Sequence, residues 1–425
     1  MRHRRLVQSV EQWKGSTGPA GEETKKVAAA GRGQKRRLFC LAAGVVIFFL
    51  VWGRHGSRTD SDSDLLPLQL ASDAYNVFAC PEIPPRGYPR EYPILNVLNN
   101  WNTAQVEPKT RVIYQGICVF DAAQVKTQSE VAKMHQQIQN YRAKEVPFIV
   151  RGDPAVRRAV DLWNTPNYLL DKLQHKKFLA TRSNQTLMTY YSLDKDYNEI
   201  PDNFSPLTYT APMSYEEWYH RSLDKRHEND DHAYLRLDAC LKEKSCDSTF
   251  RGNPHRIDNA DFMYQDLDFF YPGHSHYYEI DVNKSRGIQC RFGTALLTAE
   301  CHFDNERNYI AMLRGTRRYL LSHPKNCPTL ALYPQKHPLE RHTQIDWRTL
   351  STQNRYALQH FPNFSQSTVN EVVLQAGDVL YLPTYWFHHI ISLSQQNIQC
   401  NTRSGYSVEY DQAIYDCGFF YDFPD

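Results

Sequence analysis

The sequence predicts a mainly β domain with helices packed on its outside, preceded by one membrane-spanning helix near the N-terminus. Three observations carry that expectation. Aromatic residues make up 13% of the 425 residues, with 27 tyrosines, and aromatic side chains suit pleated, half-buried surfaces. After Leu187 the chain falls into short strand-like runs broken by Asn, Asp, Pro and Gly. Ahead of all this, residues 38–52 (LFCLAAGVVIFFLVW) carry no charge.

Taken in order, residues 1–37 are polar and rich in Gly, Ala, Lys and Arg, with ten Lys/Arg against three Glu. They read as a disordered basic tail. The apolar run follows at once and places a signal anchor at 38–53. It is short for a bilayer span of ~20 residues. Lys35, Arg36 and Arg37 put the tail in the cytoplasm and the remainder in the lumen. The alternatives are a cleaved signal peptide or a buried core strand, but the leading region is long for a signal peptide and no small-residue cleavage site follows Trp52. Short spans favour the thinner early secretory membranes, so the expected location is the ER or Golgi.

A stem occupies 54–80, and a single lumenal domain is expected over 81–425. Its lead-in is Pro-rich to residue 93. Over 121–144, Val125, Val131, Met134, Ile138 and Tyr141 recur mostly at three- and four-residue steps, which predicts an amphipathic helix. A strand is expected at 147–150 and a second helix over 164–176, with Thr165-Pro166 as its start. No repeat of 20 to 50 residues is visible.

Composition narrows function. Hydrophobic content of 41%, charged content of 23% and a net charge of +2 are those of a globular protein with no basic field for nucleic acid. Four N-x-[ST] sequons follow the anchor, at Asn184, Asn203, Asn283 and Asn363. Nine of the ten cysteines do too. Both suit a lumenal body. Cys240 and Cys246 make the most plausible local disulfide, and the other pairings stay open.

The chemistry concentrates in 294–324, centred on His302-Phe303-Asp304. In a strand, residues two apart share a face, so His302 and Asp304 project together. That makes two thirds of a 2-His-1-carboxylate site for non-haem Fe(II). Far downstream, 377–389 (GDVLYLPTYWFHH) supplies a turn, an apolar run, a proline and two histidines.

These two segments resemble the JmjC/cupin-8 group of Fe(II)- and 2-oxoglutarate-dependent oxygenases. His302, Phe303, Asp304, Asn308, Gly315 and Pro324 fit the first part of that group's pattern, and 377–389 fits the second almost residue for residue. Residues 146–173 are similar to its lead-in. The resemblance implies a double-stranded β-helix (jelly-roll) barrel, with His302, Asp304 and His388 as metal ligands and catalytic centre. It also implies Fe(II) as cofactor, 2-oxoglutarate and O2 as co-substrates, and hydroxylation of a lumenal substrate, a protein side chain or a glycan. Arg317 stands where the group usually has a lysine for the distal carboxylate of 2-oxoglutarate. A guanidinium can serve that carboxylate through two parallel hydrogen bonds. Asn308 is expected beside it. Thr298 is a weaker candidate, one residue early because position 299 is Ala.

Rival readings are a cupin-like lumenal binding protein without turnover, and a type II Golgi glycosyltransferase using Asp266-x-Asp268. That second motif is short and lacks a nucleotide-sugar signal around it. His274-Ser275-His276 reads as a surface loop. His389 is expected on the outer face, and Cys301 is expected to point away from the metal.

Overall fold

The computed structural model describes residues 69–70, 77–102, 107–109, 112–224, 230–239, 261–281, 283–348 and 357–421. The basic tail, the anchor, most of the stem, Cys240 and Cys246 lie outside them. Among the described residues no helix is long and apolar enough to cross a membrane.

Local signals account for the helices. Helix α1 is Ile94–Asn99. Helix α2, Gln128–Ala143, starts at a capping box in which the Thr127 hydroxyl accepts the Glu130 N–H and the Glu130 carboxylate reaches back to Thr127. It buries Met134, Ile138 and Tyr141, the expected apolar face. Helix α3, Pro154–Trp163, was not expected. Asp153 caps it, Pro154 opens it, and Ala155, Val156, Ala159, Val160 and Trp163 form its buried stripe. The helix anticipated over 164–176 shrinks to α4, Tyr168–Leu173. The reason is Asn164, which ends α3 by donating from its amide to the Val160 carbonyl.

Fifteen strands build two sheets: β1 (Tyr92–Pro93), β2 (Val119–Asp121), β3 (Phe148–Arg151), β4 (Lys177–Ser183), β5 (Leu187–Met188), β6 (Tyr209–Ser214), β7 (His232–Ala239), β8 (Ser285–Thr294), β9 (Thr298–His302), β10 (Asn308–Arg314), β11 (Thr316–Ser322), β12 (Thr368–Gln375), β13 (Asp378–Leu382), β14 (Phe387–Ser392) and β15 (Gln396–Ser404). The nine-stranded sheet runs β6-β4-β7-β8-β15-β10-β13-β3-β2, and the six-stranded sheet runs β1-β12-β11-β14-β9-β5.

The architecture is therefore mainly β with flanking helices, as the sequence predicts. The closed barrel is a correction: among the described residues the ladder does not pass from one sheet to the other. Closure needs edge strands that can pair, and the smaller sheet ends on two strands of two residues each, β1 and β5. Side chains hold the sheets together instead. Ile310, Met312, Leu380 and Ile149 of the larger sheet meet Tyr319, Leu321, Val372 and Leu374 of the smaller. A second core packs α2 and α3 on the outer face of the larger sheet. A third covers the smaller sheet through α1, Trp347 and Phe419.

Gly315 makes the tight turn from β10 to β11. Its φ is +73°, and a Cβ there would lie 2.2 Å from the Gln396 carbonyl oxygen, so only glycine fits.

Among the described residues two disulfides tie distant segments. Cys290 and Cys400 face each other in register across β8 and β15. Cys327 joins Cys417, at the end of the C-terminal helix Asp411–Asp416. They close loops of 110 and 90 residues. Loss of a bridge over a loop this long costs about 4 kcal/mol. Cys290→Ser with Cys400→Ser is expected to lower the unfolding free energy in water by that amount, and to raise the m-value, because the denatured chain without the bridge exposes more surface.

One histidine ties stability to pH. His323 caps the 3-10 turn after β11, its Nδ1 accepting the Lys325 N–H. Burial, with the charge of Lys325, pushes its pKa down from 6.5 to about 4. On acidification the unfolded chain therefore takes the proton first. Stability is full above pH 6.5, falls as pH drops toward 4, and the loss is about 2 kcal/mol given partial exposure. Urea unfolding at pH 7 and pH 4.5, with His323→Gln as control, checks this; the variant should lose that part of the slope.

Candidate metal centre

His302 ends β9, and His388 is the second residue of β14. The two are paired opposite each other in the antiparallel register, with ring centroids 4.3 Å apart. Asp304 follows two residues after His302, and its Oδ2 lies 3.8 Å from His388 Nε2. One ligand atom from each of His302, Asp304 and His388 can be chosen so that all lie within 4.8 Å of one another. Phe303, between the two, turns outward into the core behind the smaller sheet, as do Cys301 and Phe387.

Both imidazoles have their tautomer set by the backbone. His302 Nδ1 lies 2.7 Å from the Glu300 carbonyl, and His388 Nδ1 lies 3.0 Å from the Trp386 carbonyl. A carbonyl only accepts, so each Nδ1 carries the proton and each Nε2 lone pair is free for a metal. Burial, then the neighbouring rings His388 and His342, lower the His302 pKa well below its ordinary value. Burial also lowers that of His388, against the pull of Asp304. Burial opposes ionisation of Asp304, but Arg403, the two imidazoles and Arg341 hold its carboxyl far below the usual range. The set is thus two neutral imidazoles and one carboxylate, which is the donor chemistry of a facial Fe(II) site.

The triad opens into a cavity of about 580 Å³ between the sheets. Asn308 lines it and accepts a hydrogen bond from Asn401. Arg317 lies behind the wall, 1% exposed. Its Nη1 donates to the hydroxyl of Tyr234, a lining residue, at 3.1 Å. Among the described residues its Nε and Nη2 have no hydrogen-bond partner. Gly293 leaves room for the guanidinium: a Cβ there would stand 3.2 Å from Arg317 Nη2. A buried guanidinium with two nitrogens lacking hydrogen bonds among the described residues is costly.

Thr298 is a correction. It does not line the cavity; Ala299 does. Its hydroxyl donates to the Leu296 carbonyl. Strict alternation would put residues 298 and 302 on one face, but the β9–β14 register shifts between Ala299 and His302, and the irregularity swaps the faces.

His389 turns to the outer face and stacks on Trp347 at 5.3 Å. The Asp-x-Asp pair is spoken for: Asp266 accepts from Trp163 Nε1 and the Tyr168 hydroxyl, and Asp268 lies 3.5 Å from Arg158. The His274 and His276 side chains are exposed.

Several lining residues escape sequence reasoning. His342 bridges to His302 and stacks on its ring at 4.9 Å. Burial, with Arg341, takes its pKa down to about 4. Arg403 Nη2 donates to Asp304 Oδ2 at 2.5 Å, and Arg341 Nη1 lies 3.5 Å from Oδ1. The signal for β15 was present in the alternation of Gln399, Asn401 and Arg403, three polar residues on one strand face. Nothing local marks His342.

A family model described as a cupin-like domain matches residues 134–402. Among curated proteins, the chain is 27% identical over 144 residues to the HSPB1-associated protein 1 homolog of Danio rerio, covering 33% of this chain and 29% of that protein. It is 33% identical over 107 residues to lysine-specific demethylase 8 of Xenopus tropicalis, 25% of this chain and 22% of the relative. It is 28% identical over 134 residues to the bifunctional peptidase and (3S)-lysyl hydroxylase JMJD7 of Homo sapiens, 28% of this chain and 41% of the relative. The chain thus spans less than half the length of each of these three relatives.

Proposed function

The chain belongs to the cupin-like domain family, and from that premise we propose that it is an Fe(II)- and 2-oxoglutarate-dependent oxygenase. It hydroxylates a protein side chain, or a glycan, in the lumen of the ER or Golgi, held there by the anchor at 38–53. The observation that carries this reading is the donor set: two neutral imidazoles with free Nε2 atoms and one carboxylate at the mouth of a cavity. Iron held by His302, Asp304 and His388 would supply the oxidising power for decarboxylating 2-oxoglutarate and hydroxylating a substrate C–H bond with O2. Arg317 holds the distal carboxylate, answering its two unpartnered nitrogens. Asn308 and Asn401 orient the co-substrate from the adjoining wall, and the apolar core beyond Ile310 keeps water from that side.

A lumenal setting is supported by the two disulfides and by the exposure of all four sequon asparagines. N-glycosidase treatment of the protein from secretory-competent cells should shift its mass. No shift would count against the topology.

The second reading, a binding protein without turnover, is favoured by one observation. Arg403 and Arg341 already engage Asp304 and compete with a metal for its charge. Iron analysis and succinate release from 2-oxoglutarate by the purified full chain separate the two. One iron per chain with 2-oxoglutarate-dependent succinate is expected. Iron binding without succinate would favour the second reading, and absence of iron binding would end the first.

A further inference from the structure

The cavity carries more positive charge in its lining than its neighbours balance. Five arginines line it, Arg236, Arg286, Arg291, Arg341 and Arg403, against one lining carboxylate, Asp304. Arg341 and Arg403 share Asp304, and Arg286 pairs with Glu306. The remaining two sit side by side, in register across β7 and β8. Among the described residues one carboxylate pairs with either of them. Asp238 lies 2.9 Å from Arg236 and 3.6 Å from Arg291, with its side chain 1% exposed.

Arg291 is the less satisfied. Its side chain is 15% exposed, and its other hydrogen bonds are long, 3.4 Å to the Cys290 carbonyl and 3.3 Å to Gln289. Burial, then the charge of Arg236, pushes its pKa down to about 9, as befits a cation short of counter-charge. A guanidinium has five donors in a fixed fork, so the pair keeps donors facing the cavity. Arg317 belongs to the opposite sheet and meets β7 at Tyr234, two residues from Arg236. The pair and Arg317 are therefore adjacent but separate cationic positions.

We propose that Arg236 and Arg291 form an anion subsite for the substrate, so that the group entering this cavity carries a carboxylate or a sulfate or phosphate ester. The shared chemistry is an anionic group with two or more acceptor oxygens, matched to two guanidinium forks. An uncharged substrate would leave both cations desolvated with half a counter-ion each. The word substrate rests on the oxygenase reading; the anion site itself does not.

The test is calorimetric titration of the full chain in detergent, without metal, with inorganic sulfate, inorganic phosphate and acetate, each against sodium chloride of equal ionic strength. The titrations are repeated with saturating 2-oxoglutarate. At least one probe should bind the wild type and Arg317→Gln with similar constants, 2-oxoglutarate present or absent, and the best binder identifies the ester or carboxylate source. Arg236→Gln and Arg291→Gln should each weaken it by about tenfold or more, the value of a hydrogen bond between charged groups. The proposal fails if no probe outdoes chloride on the wild type, if Arg236→Gln binds normally, or if 2-oxoglutarate displaces the probe. Should Arg291→Gln not fold, the wild-type and Arg236→Gln arms still decide. Failure of the oxygenase reading shows separately, as anion binding without succinate release.

Discussion

His302→Ala is expected to abolish stoichiometric iron binding and to reduce succinate release by more than about a hundredfold. Even partners that merely orient a metal ligand are worth 10- to 100-fold in affinity or activity, and a ligand itself is worth more. The fold should survive. His302 lies at the end of β9 facing the cavity, so truncation removes the stacking on His342 and the bond to the Glu300 carbonyl but no apolar core contact, and leaves the Phe303 packing in place. Circular dichroism without metal should match the wild type, with the unfolding free energy lower by about 1 kcal/mol at most for the lost hydrogen bond. The contrast appears on adding Fe(II) without oxygen, or Mn(II). A ligand at 100 times its dissociation constant stabilises the native state by about 2.7 kcal/mol, so the wild-type midpoint should rise and that of the variant should not. A metal-induced rise in both would place the metal elsewhere.

Glu371→Ala should cost about 3–5 kcal/mol, the loss associated with stranding one member of a buried ion pair. Glu371 on β12 and Arg318 on β11 meet at 2.5 Å with side chains 0% and 1% exposed. Glu371 also accepts the Tyr114 N–H, and Arg318 stacks over Trp101 and donates to the Val97 carbonyl. Removing the carboxylate leaves a guanidinium sealed under the third core. Arg318→Met combined with Glu371→Leu should recover most of the loss, because the cost arises from the uncompensated charge rather than from a missing attraction. Urea unfolding of the two single variants and the pair gives the coupling energy. A double variant as unstable as Glu371→Ala would contradict this account.

Much of the fold was legible in local pattern. The spacing of Met134, Ile138 and Tyr141 predicts α2, and the structure adds the Thr127 capping box as its start. Helix α3 escapes the sequence reading although Asp153-Pro154 is a start signal, and Thr165-Pro166 starts the next helix ahead of its first turn at Tyr168. At the site, the two-residue step from His302 to Asp304 was enough to put both on one face. Thr298, offered only by the resemblance, lies off the cavity because an irregular strand pairing breaks alternation between Ala299 and His302 and leaves no mark on composition.

The arginines show a different limit. Arg403 and Arg291 look like ordinary strand residues until the sheets face each other, and then they own the cavity.

By itself the amino-acid sequence determined the mainly β class with flanking helices, the pairing of His302 with Asp304 and, through the family resemblance, the expectation that a distant histidine completes the set. Tertiary structure alone decided that His388 stands across from His302, that Cys290 meets Cys400, that the sheets stay unclosed, and that Arg236 and Arg291 share one aspartate. The division has a physical cause. Side-chain direction repeats over two or four residues and is written locally, whereas strand register across a hundred residues is chosen by the burial of the whole core at once.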